Sequence, residues 1–165
     1  MQIAFSPVRT QDDIDRLAAM AGIVWHEFFP ALLSPEQIDY MVERFQSPQA
    51  LGEQTARQGY EYFFIEADGR PVGYTGIRAE GGKLFLSKLY LLREARGHGY
   101  AGQAFDFLEG LARARGLSAV WLTVNRFNTH AVEVYKARGF RILRTQAADI
   151  GGGFIMDDYI MEKSL

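Results

Sequence analysis

No cysteine occurs in the 165 residues, so disulfides, thiolate metal sites and a cysteine nucleophile are all excluded. The absence agrees with a reducing compartment. Histidine is nearly as scarce, with three scattered copies, which leaves no ligand set for a structural zinc ion and no metal is expected. There is no surplus of one charge either. Eighteen basic and twenty acidic side chains leave a formal charge of −2, which gives no general attraction for a phosphate backbone and speaks against nucleic acid as a partner. Also missing are an apolar run long enough to span a bilayer and, in the opening MQIAFSPVRTQDD, the basic start and apolar core of a secretory signal. The expectation is a cytoplasmic protein that engages no membrane. What is abundant is apolar and aromatic, 48% and 13%, enough for one substantial core and therefore a single domain over residues 1–165.

Periodicity and punctuation order this core. A short strand over residues 2–9 ends where Thr10 and Asp13 resemble a capping box, and Ile14, Leu17, Ala18 and Ala21 then recur at helical spacing into the aromatic segment WHEFFP, which Pro30 interrupts. Ser34, Pro35 and Gln37 open a second helix whose apolar face is Ile38, Met41, Val42 and Phe45, and Ser47-Pro48 restarts the pattern. From Tyr60 the period becomes that of strands: YEYFFIEA, Asp68-Gly69, RPVGYTGIRAE, Gly81-Gly82, KLFLSKLYLL. Asp-Gly and Gly-Gly suit tight hairpins, so these three strands form an antiparallel meander. A helix marked by Ala104, Phe105, Leu108, Leu111 and Ala112 ends at Gly116, SAVWLTV follows as a buried strand, and a last helix runs over residues 128–138. Strands over residues 140–145 and 154–163 close the chain, with Gly151, Gly152 and Gly153 as a flexible connection.

Between the meander and the next helix lies ARGHGYAG, in which Gly97, Gly99 and Gly102 are spaced G-x-G-x-x-G. A dinucleotide-binding fold would continue with repeated strand-helix units and an acidic residue about 20 positions on. Here the corresponding stretch reads LTVN and too little chain remains; a Walker loop is excluded by the missing G-K-[ST]. A strand that runs into a glycine turn opening a helix is nevertheless a geometry that binds anions, because backbone N–H groups converge where the helix dipole is positive. The same glycines also suit a plain tight turn.

Arg96-Gly97-His98-Gly99-Tyr100-Ala101 fits the [QR]-x-x-G-x-[GA] signature of the GNAT superfamily of acyl-CoA-dependent N-acetyltransferases. Downstream, Asn128, Ala131, Tyr135, Gly139 and Phe140 resemble that family's N-x-x-A-x-x-x-Y-x-x-x-G-F block. The resemblance covers about residues 60–163 and includes the closing DDYIMEK strand. One departure is Arg93, where many members have proline before the glycine loop.

The resemblance implies a mixed α/β fold: a central, mostly antiparallel sheet with splayed fourth and fifth strands and helices on both faces. It implies acetyl-CoA as acyl donor, its pantetheine arm lying along the open strand edge as β-augmentation does. By position, the backbone of Leu89, Tyr90 and Leu91 would bond the pantetheine amides, with Leu91 N–H polarising the thioester carbonyl. Residues Arg96, Gly97, His98, Gly99, Tyr100, Ala101 and Gly102 would hold the pyrophosphate, and Asn128 would touch the pantetheine. Tyr135, which by helical spacing alone reads as core, matches the family's general acid, and a phenol stays protonated at neutral pH.

The implied reaction moves an acetyl group to an amine in a ternary complex without a covalent enzyme intermediate. No residue announces itself as the base: Glu66, Glu27, His26 and Glu61 all read more simply as solvated or structural groups. Trp25, Phe28 and Phe29 either seal the first helix onto the sheet or border an acceptor pocket in which Glu27 and His26 face an amine. LLSPEQIDYM resembles members acting on polyamines or other small amines, while a peptide amine and an aminoglycoside stay open. A homodimer through an exposed edge of the C-terminal strands is compatible with the sequence. Two other functions remain: a non-catalytic acyl-CoA-binding module, and an interaction protein that has lost the ligand.

Overall fold

The computed structural model describes residues 3–165. The strand expected from Gln2 is observed as β1 (Ile3–Pro7); Gln2 itself lies outside the described residues. Three helices come next, α1 (Gln11–Phe28), α2 (Pro35–Gln46) and α3 (Pro48–Arg57). Each starts where its cap chemistry dictates. Thr10 and Asp13 close a reciprocal capping box, and the hydroxyls of Ser34 and Ser47 accept from Gln37 N–H and Ala50 N–H ahead of a proline at the first helical turn.

The meander is β2 (Tyr60–Ala67), β3 (Arg70–Glu80) and β4 (Lys83–Leu91). Asp68 and Gly69 take φ of 52° and 76°, and Gly81 and Gly82 take 58° and 77°, the doubly left-handed turns that match strand twist. After α4 (Tyr100–Ala114) come β5 (Ala119–Asn125), α5 (Thr129–Ala137), β6 (Arg141–Gly151) and β7 (Phe154–Ser164). β6 is longer than the sequence pattern indicates, taking in Gly151, and Gly152 and Gly153 connect the last two strands as the turn of a β6–β7 hairpin. Tyr40 Oη donates to Ile150 O at 2.9 Å and fastens that turn to α2.

The sheet has seven strands in the order β1-β2-β3-β4-β5-β7-β6, antiparallel except for β4–β5. The mixed α/β architecture with helices on both faces is as expected. α1, α2 and α3 pack on one face around Leu17, Val24, Trp25, Ile38, Leu51, Tyr62 and Tyr74. α4 and α5 cover the other around Ile77, Leu86, Phe105, Leu108, Leu122 and Val132.

Two irregularities in β4 open the middle of this sheet. Its parallel pairing with β5 covers only Leu84, Phe85 and Leu86 against Val120, Trp121 and Leu122, although both strands run on to Leu91 and Asn125. Beyond Leu86 the two strands part. At the same place the β3 register jumps from Ile77↔Leu86 to Gly76↔Lys88, leaving Ser87 as a bulged extra residue. A bulge shifts the alternation of side chains by one. Leu84, Leu86 and Leu89 therefore join the α4–α5 core, whereas Phe85, Lys88 and Tyr90 face the α1–α2 side.

Candidate active site

Where β4 and β5 part, a cavity of about 450 Å³ opens. Its walls come from both faces of the sheet: Trp25, Phe28 and Phe29 of α1 on one side, Ala131 and Tyr135 of α5 on the other. Only a gap between strands permits that. A larger open groove of about 760 Å³ lies elsewhere, between α3, β1 and β2, and contains none of the motif residues.

The exposed edge of β4 is defined by its hydrogen bonds to β3. Leu92 N–H donates to Val72 O at 2.8 Å and Lys88 O accepts from Thr75 Oγ1 at 2.7 Å, so by strand alternation the peptide groups of residues 88, 90 and 92 point toward β3. Those of Leu89 and Leu91 point the other way, into the gap. Of the three residues that the sequence singled out, Tyr90 thus has a different position: its backbone pairs with Tyr74, and its ring packs against Trp25, Phe28 and Phe29 in the cavity wall. Arg96 reaches back to the same edge. Its Nε and an Nη lie 3.4 and 3.3 Å from Leu91 O, and its guanidinium covers the Phe28 ring.

The glycine loop continues from that edge. Gly97 and Gly99 have φ of 81° and 80°, a region that costs any other L-residue about 1–2 kcal/mol. Gly99 caps α4 without a side-chain bond, and a methyl added at either glycine would meet no atom within 4 Å. Open space therefore lies beside the glycines at the N-terminus of α4, whose first turn holds Tyr100, Ala101 and Gly102. The Tyr100 ring is buried against Ala67 and Ala95, and His98 stacks on it at 5.5 Å. An extended edge with free N–H groups that leads into an anion cradle fits a pantetheine-pyrophosphate chain.

Arg93 gives the departure from proline a physical reason. It opens a short 3₁₀ turn (Arg93–Ala95), its backbone N–H donates to Glu27 Oε1 at 3.1 Å, and its guanidinium reaches Glu27 O at 3.4 Å. Proline has no N–H to make the first bond. Glu27 is thereby engaged in holding the loop to α1.

The other candidate bases are likewise occupied. Glu61 forms a two-pronged pair with Arg115 at 2.7 and 2.9 Å, which holds its carboxyl below the usual range, and it lines the distant groove. Glu66 accepts from Ser6 Oγ, and His26 Nε2 pairs with Asp39 at 2.6 Å. None of the four lines the cavity.

Trp25 is both core and wall. It is 2% exposed, yet borders the cavity, and its orientation is fixed by Nε1 donating to Tyr74 Oη at 2.8 Å, which in turn donates to Gln46 Oε1 at 2.8 Å. Tyr135 packs edge-on to Phe105 and Phe140, and burial pushes its phenol up to about 12. Asn128 caps α5, its Oδ1 accepting from Ala131 N–H at 3.2 Å, and also lines the cavity.

Among the ionisable residues that line the cavity and belong to neither sequence motif are Asp158 and Lys88. Asp158 on β7 is 8% exposed, sits opposite Asn125 of β5, and has a buried Oδ1 with no hydrogen-bond partner. Burial, with a contribution from Asp157, raises its carboxyl to about 6, against the opposing influence of Lys88. Burial correspondingly lowers the Lys88 ammonium to about 8 while Asp158 supports it. Asp158 was visible in principle, since it interrupts the alternating apolar stripe Met156-x-Asp158-x-Ile160. Lys88 was not, because the bulge that turns it inward leaves no sequence mark.

Among the described residues no helix is long and apolar enough to cross a membrane, and no cluster of three or more His, Asp or Glu is placed to hold a metal ion. The sequence profile described as acetyltransferase (GNAT) family matches residues 17–140. The chain is 32% identical over 154 residues to an uncharacterized N-acetyltransferase of Mycobacterium tuberculosis, covering 93% of this chain and 98% of that one. A second uncharacterized N-acetyltransferase, from the pepI 3′ region of Lactobacillus delbrueckii subsp. lactis, is 23% identical with 94% of each chain covered. The PaiA N-acetyltransferase of Thermoplasma acidophilum, crystallised in complex with coenzyme A, superposes over 100% of both chains with a TM-score of 0.81 at 21% identity.

Proposed function

The chain belongs to the GNAT acetyltransferase family, and on that premise we propose that it transfers an acetyl group from acetyl-CoA to a primary amine by direct attack in a ternary complex. The whole chain acts as one acetyltransferase domain. The observation that carries this reading is the cavity lined from both sheet faces at the β4–β5 fork. In this reading acyl donor and acceptor would meet there.

Leu89 and Leu91 would bond the pantetheine arm through backbone groups that β3 leaves free, and Leu91 N–H would stabilise negative charge on the thioester oxygen. Residues Gly97, His98, Gly99, Tyr100, Ala101 and Gly102 would hold the pyrophosphate on backbone N–H groups at the α4 N-terminus, with Arg96 alongside. Asn128 would contact the arm while capping α5. The bound donor supplies an activated acyl carbon and a thiolate leaving group. Tyr135 holds the proton that this thiolate needs, and with its pKa raised by burial it keeps that proton across the working range. The aromatic walls Trp25, Phe28 and Phe29 favour an ammonium through cation–π contact and exclude water from the reacting atoms.

The test is thermal melting with and without acetyl-CoA, with thiol release measured against small amines, polyamines, amino acids, peptides and aminoglycosides. A melting shift plus thiol release is expected; ligand at a hundredfold excess over Kd adds about 2.7 kcal/mol. A shift without release from any acceptor would favour a non-catalytic acyl-CoA-binding module, and no shift would remove coenzyme A as the ligand.

A further inference from the structure

Resting on the amine-acetylating reading, we propose that Asp158 is the group that takes the proton from the incoming acceptor ammonium, and that Lys88 sets the pH at which it does so. Asp158 is more than nine-tenths buried, borders the cavity that Tyr135 also borders, and has a buried Oδ1 to which the protein supplies no donor. A buried acceptor without a partner is costly, and in a native fold such a group calls for a reason, of which a catalytic role is one. An ammonium is the donor that fits a carboxylate in an aromatic-walled recess.

The surroundings of Asp158 come from every adjacent element. Lys88 and Tyr90 act on it from β4, Asn125 of β5 and Gln146 of β6 are its register partners, Tyr135 of α5 and Arg144 of β6 share the cavity lining, and neighbouring Asp157 is drawn off by Arg126 at 3.6 Å. Lys88 influences Asp158 but forms no ion pair with it; its Nζ donates to Ser87 Oγ at 2.9 Å and lies 6.0 Å from the centre of the Trp25 ring. The two charges thus border one cavity without pairing. An ammonium entering that space meets a cation and apolar walls, which weaken its hold on its proton, and a carboxylate whose burial strengthens its own. Both effects narrow the gap between donor and acceptor proton affinities.

In the transfer, the Asp158 carboxylate receives one ammonium proton; the freed lone pair forms the C–N bond to the acyl carbon as the C–S bond breaks; the departing thiolate takes the Tyr135 proton. The product amide nitrogen loses its second surplus proton to solvent, and the protons on Asp158 and Tyr135 return to their starting distribution by exchange with water. No other reactant is consumed. This assignment also accounts for the bulge at Ser87, since without it Lys88 would point into the α4–α5 core and Asp158 would stand alone.

The deciding experiment is the pH dependence of kcat/KM for wild type, Asp158→Asn and Lys88→Met, using a simple alkylamine and a hydrazide whose nitrogen is already neutral at assay pH. Wild type should lose activity as pH falls through about 6. Asp158→Asn should fall about 10²-fold with the alkylamine and much less with the hydrazide. Lys88→Met should move the acid limb to higher pH, because the cation that favours ionised Asp158 is gone. An equal loss with both acceptors, or an unmoved limb in Lys88→Met, overturns the assignment while wild-type turnover leaves acetylation standing. No wild-type turnover with any amine would overturn the underlying reading itself.

Discussion

Phe85 of β4 and Trp121 of β5 stack with ring centroids 4.2 Å apart and planes 23° from parallel, one residue before the two strands separate. They are register partners in the only parallel pair of the described sheet, and both line the cavity. The stack acts as the crotch of the fork. An aromatic pair of this geometry contributes about 0.5–1.5 kcal/mol beyond its buried area, so a double-mutant cycle with Phe85→Ala and Trp121→Ala, read by urea unfolding, should give a coupling of that size. A coupling indistinguishable from zero would mean that the fork is held by the sheet alone.

Tyr135→Phe isolates one hydroxyl. The ring contacts with Phe105 and Phe140 are preserved and, among the described residues, no protein hydrogen bond to the phenol is present to be lost, so the melting temperature should stay within the error of measurement. Acetyl-CoA affinity should hold, whereas kcat should drop by about 10²-fold. Steady-state kinetics beside a melting curve reads both. Unchanged kcat in the folded variant would remove Tyr135 as proton donor.

Gly99→Ala separates stability from binding. The left-handed φ of 80° should make the variant less stable by about 1 kcal/mol, although the new methyl touches nothing in the protein. If the α4 cradle holds the pyrophosphate, that methyl enters occupied space, and the Kd for acetyl-CoA measured by calorimetry should rise about tenfold or more, equivalent to about 1.4 kcal/mol. A stability loss with unaltered Kd would leave Gly99 as a turn residue only.

Local chemistry made much of this structure readable. The capping box at Thr10, the Ser-Pro starts of α2 and α3 and the two glycine hairpins are decisions made within four residues, and each fell where the sequence indicated. The glycine loop was readable for the same reason. The interior of the site was not, because it depends on a register jump at Ser87 and on the loss of β4–β5 pairing after Leu86, which no residue type enforces. Polar side chains that looked available, Glu27, Glu61, Glu66 and His26, proved to be engaged by Arg93, Arg115, Ser6 and Asp39, partners distant in the chain or on another helix. Asp158, hidden in an apolar strand, has no such partner at Oδ1.

His26 links α1 to α2 through Asp39, and the hydrogen bond to that carboxylate raises its pKa above the usual 6.5. A folded-state value above the unfolded one contributes stability that is complete below the unfolded pKa and is lost as pH rises through the folded value. Both side chains are substantially exposed, so the effect stays under about 1 kcal/mol. Melting wild type against His26→Gln across about pH 5.5–8.5, a span set around the reference pKa, should show the wild-type advantage shrinking toward high pH. An advantage independent of pH would assign it to packing.

The charges in the cavity bear on the acceptor. Lys88 and Arg144 oppose the single carboxylate of Asp158, and Arg144 has no ion-pair partner among the described residues. Mild overall acidity hints at a cationic acceptor, but it is the local charges that a bound molecule meets. Once one ammonium has engaged Asp158, a second would sit among two cations, at about 1 kcal/mol or more for each at typical effective dielectric. A far end that is neutral or anionic would be tolerated or held by Arg144. In a series of equal chain length, the ω-amino acid and the alkylamine should therefore give kcat/KM about tenfold above the α,ω-diamine, a difference near about 1.4 kcal/mol. Raising ionic strength should narrow the gap only partly, since Lys88 is shielded from solvent ions by the protein, and Lys88→Met should narrow it more. A diamine that outperforms both would show that further acidic groups reach the bound acceptor and would restore a polyamine as the favoured substrate.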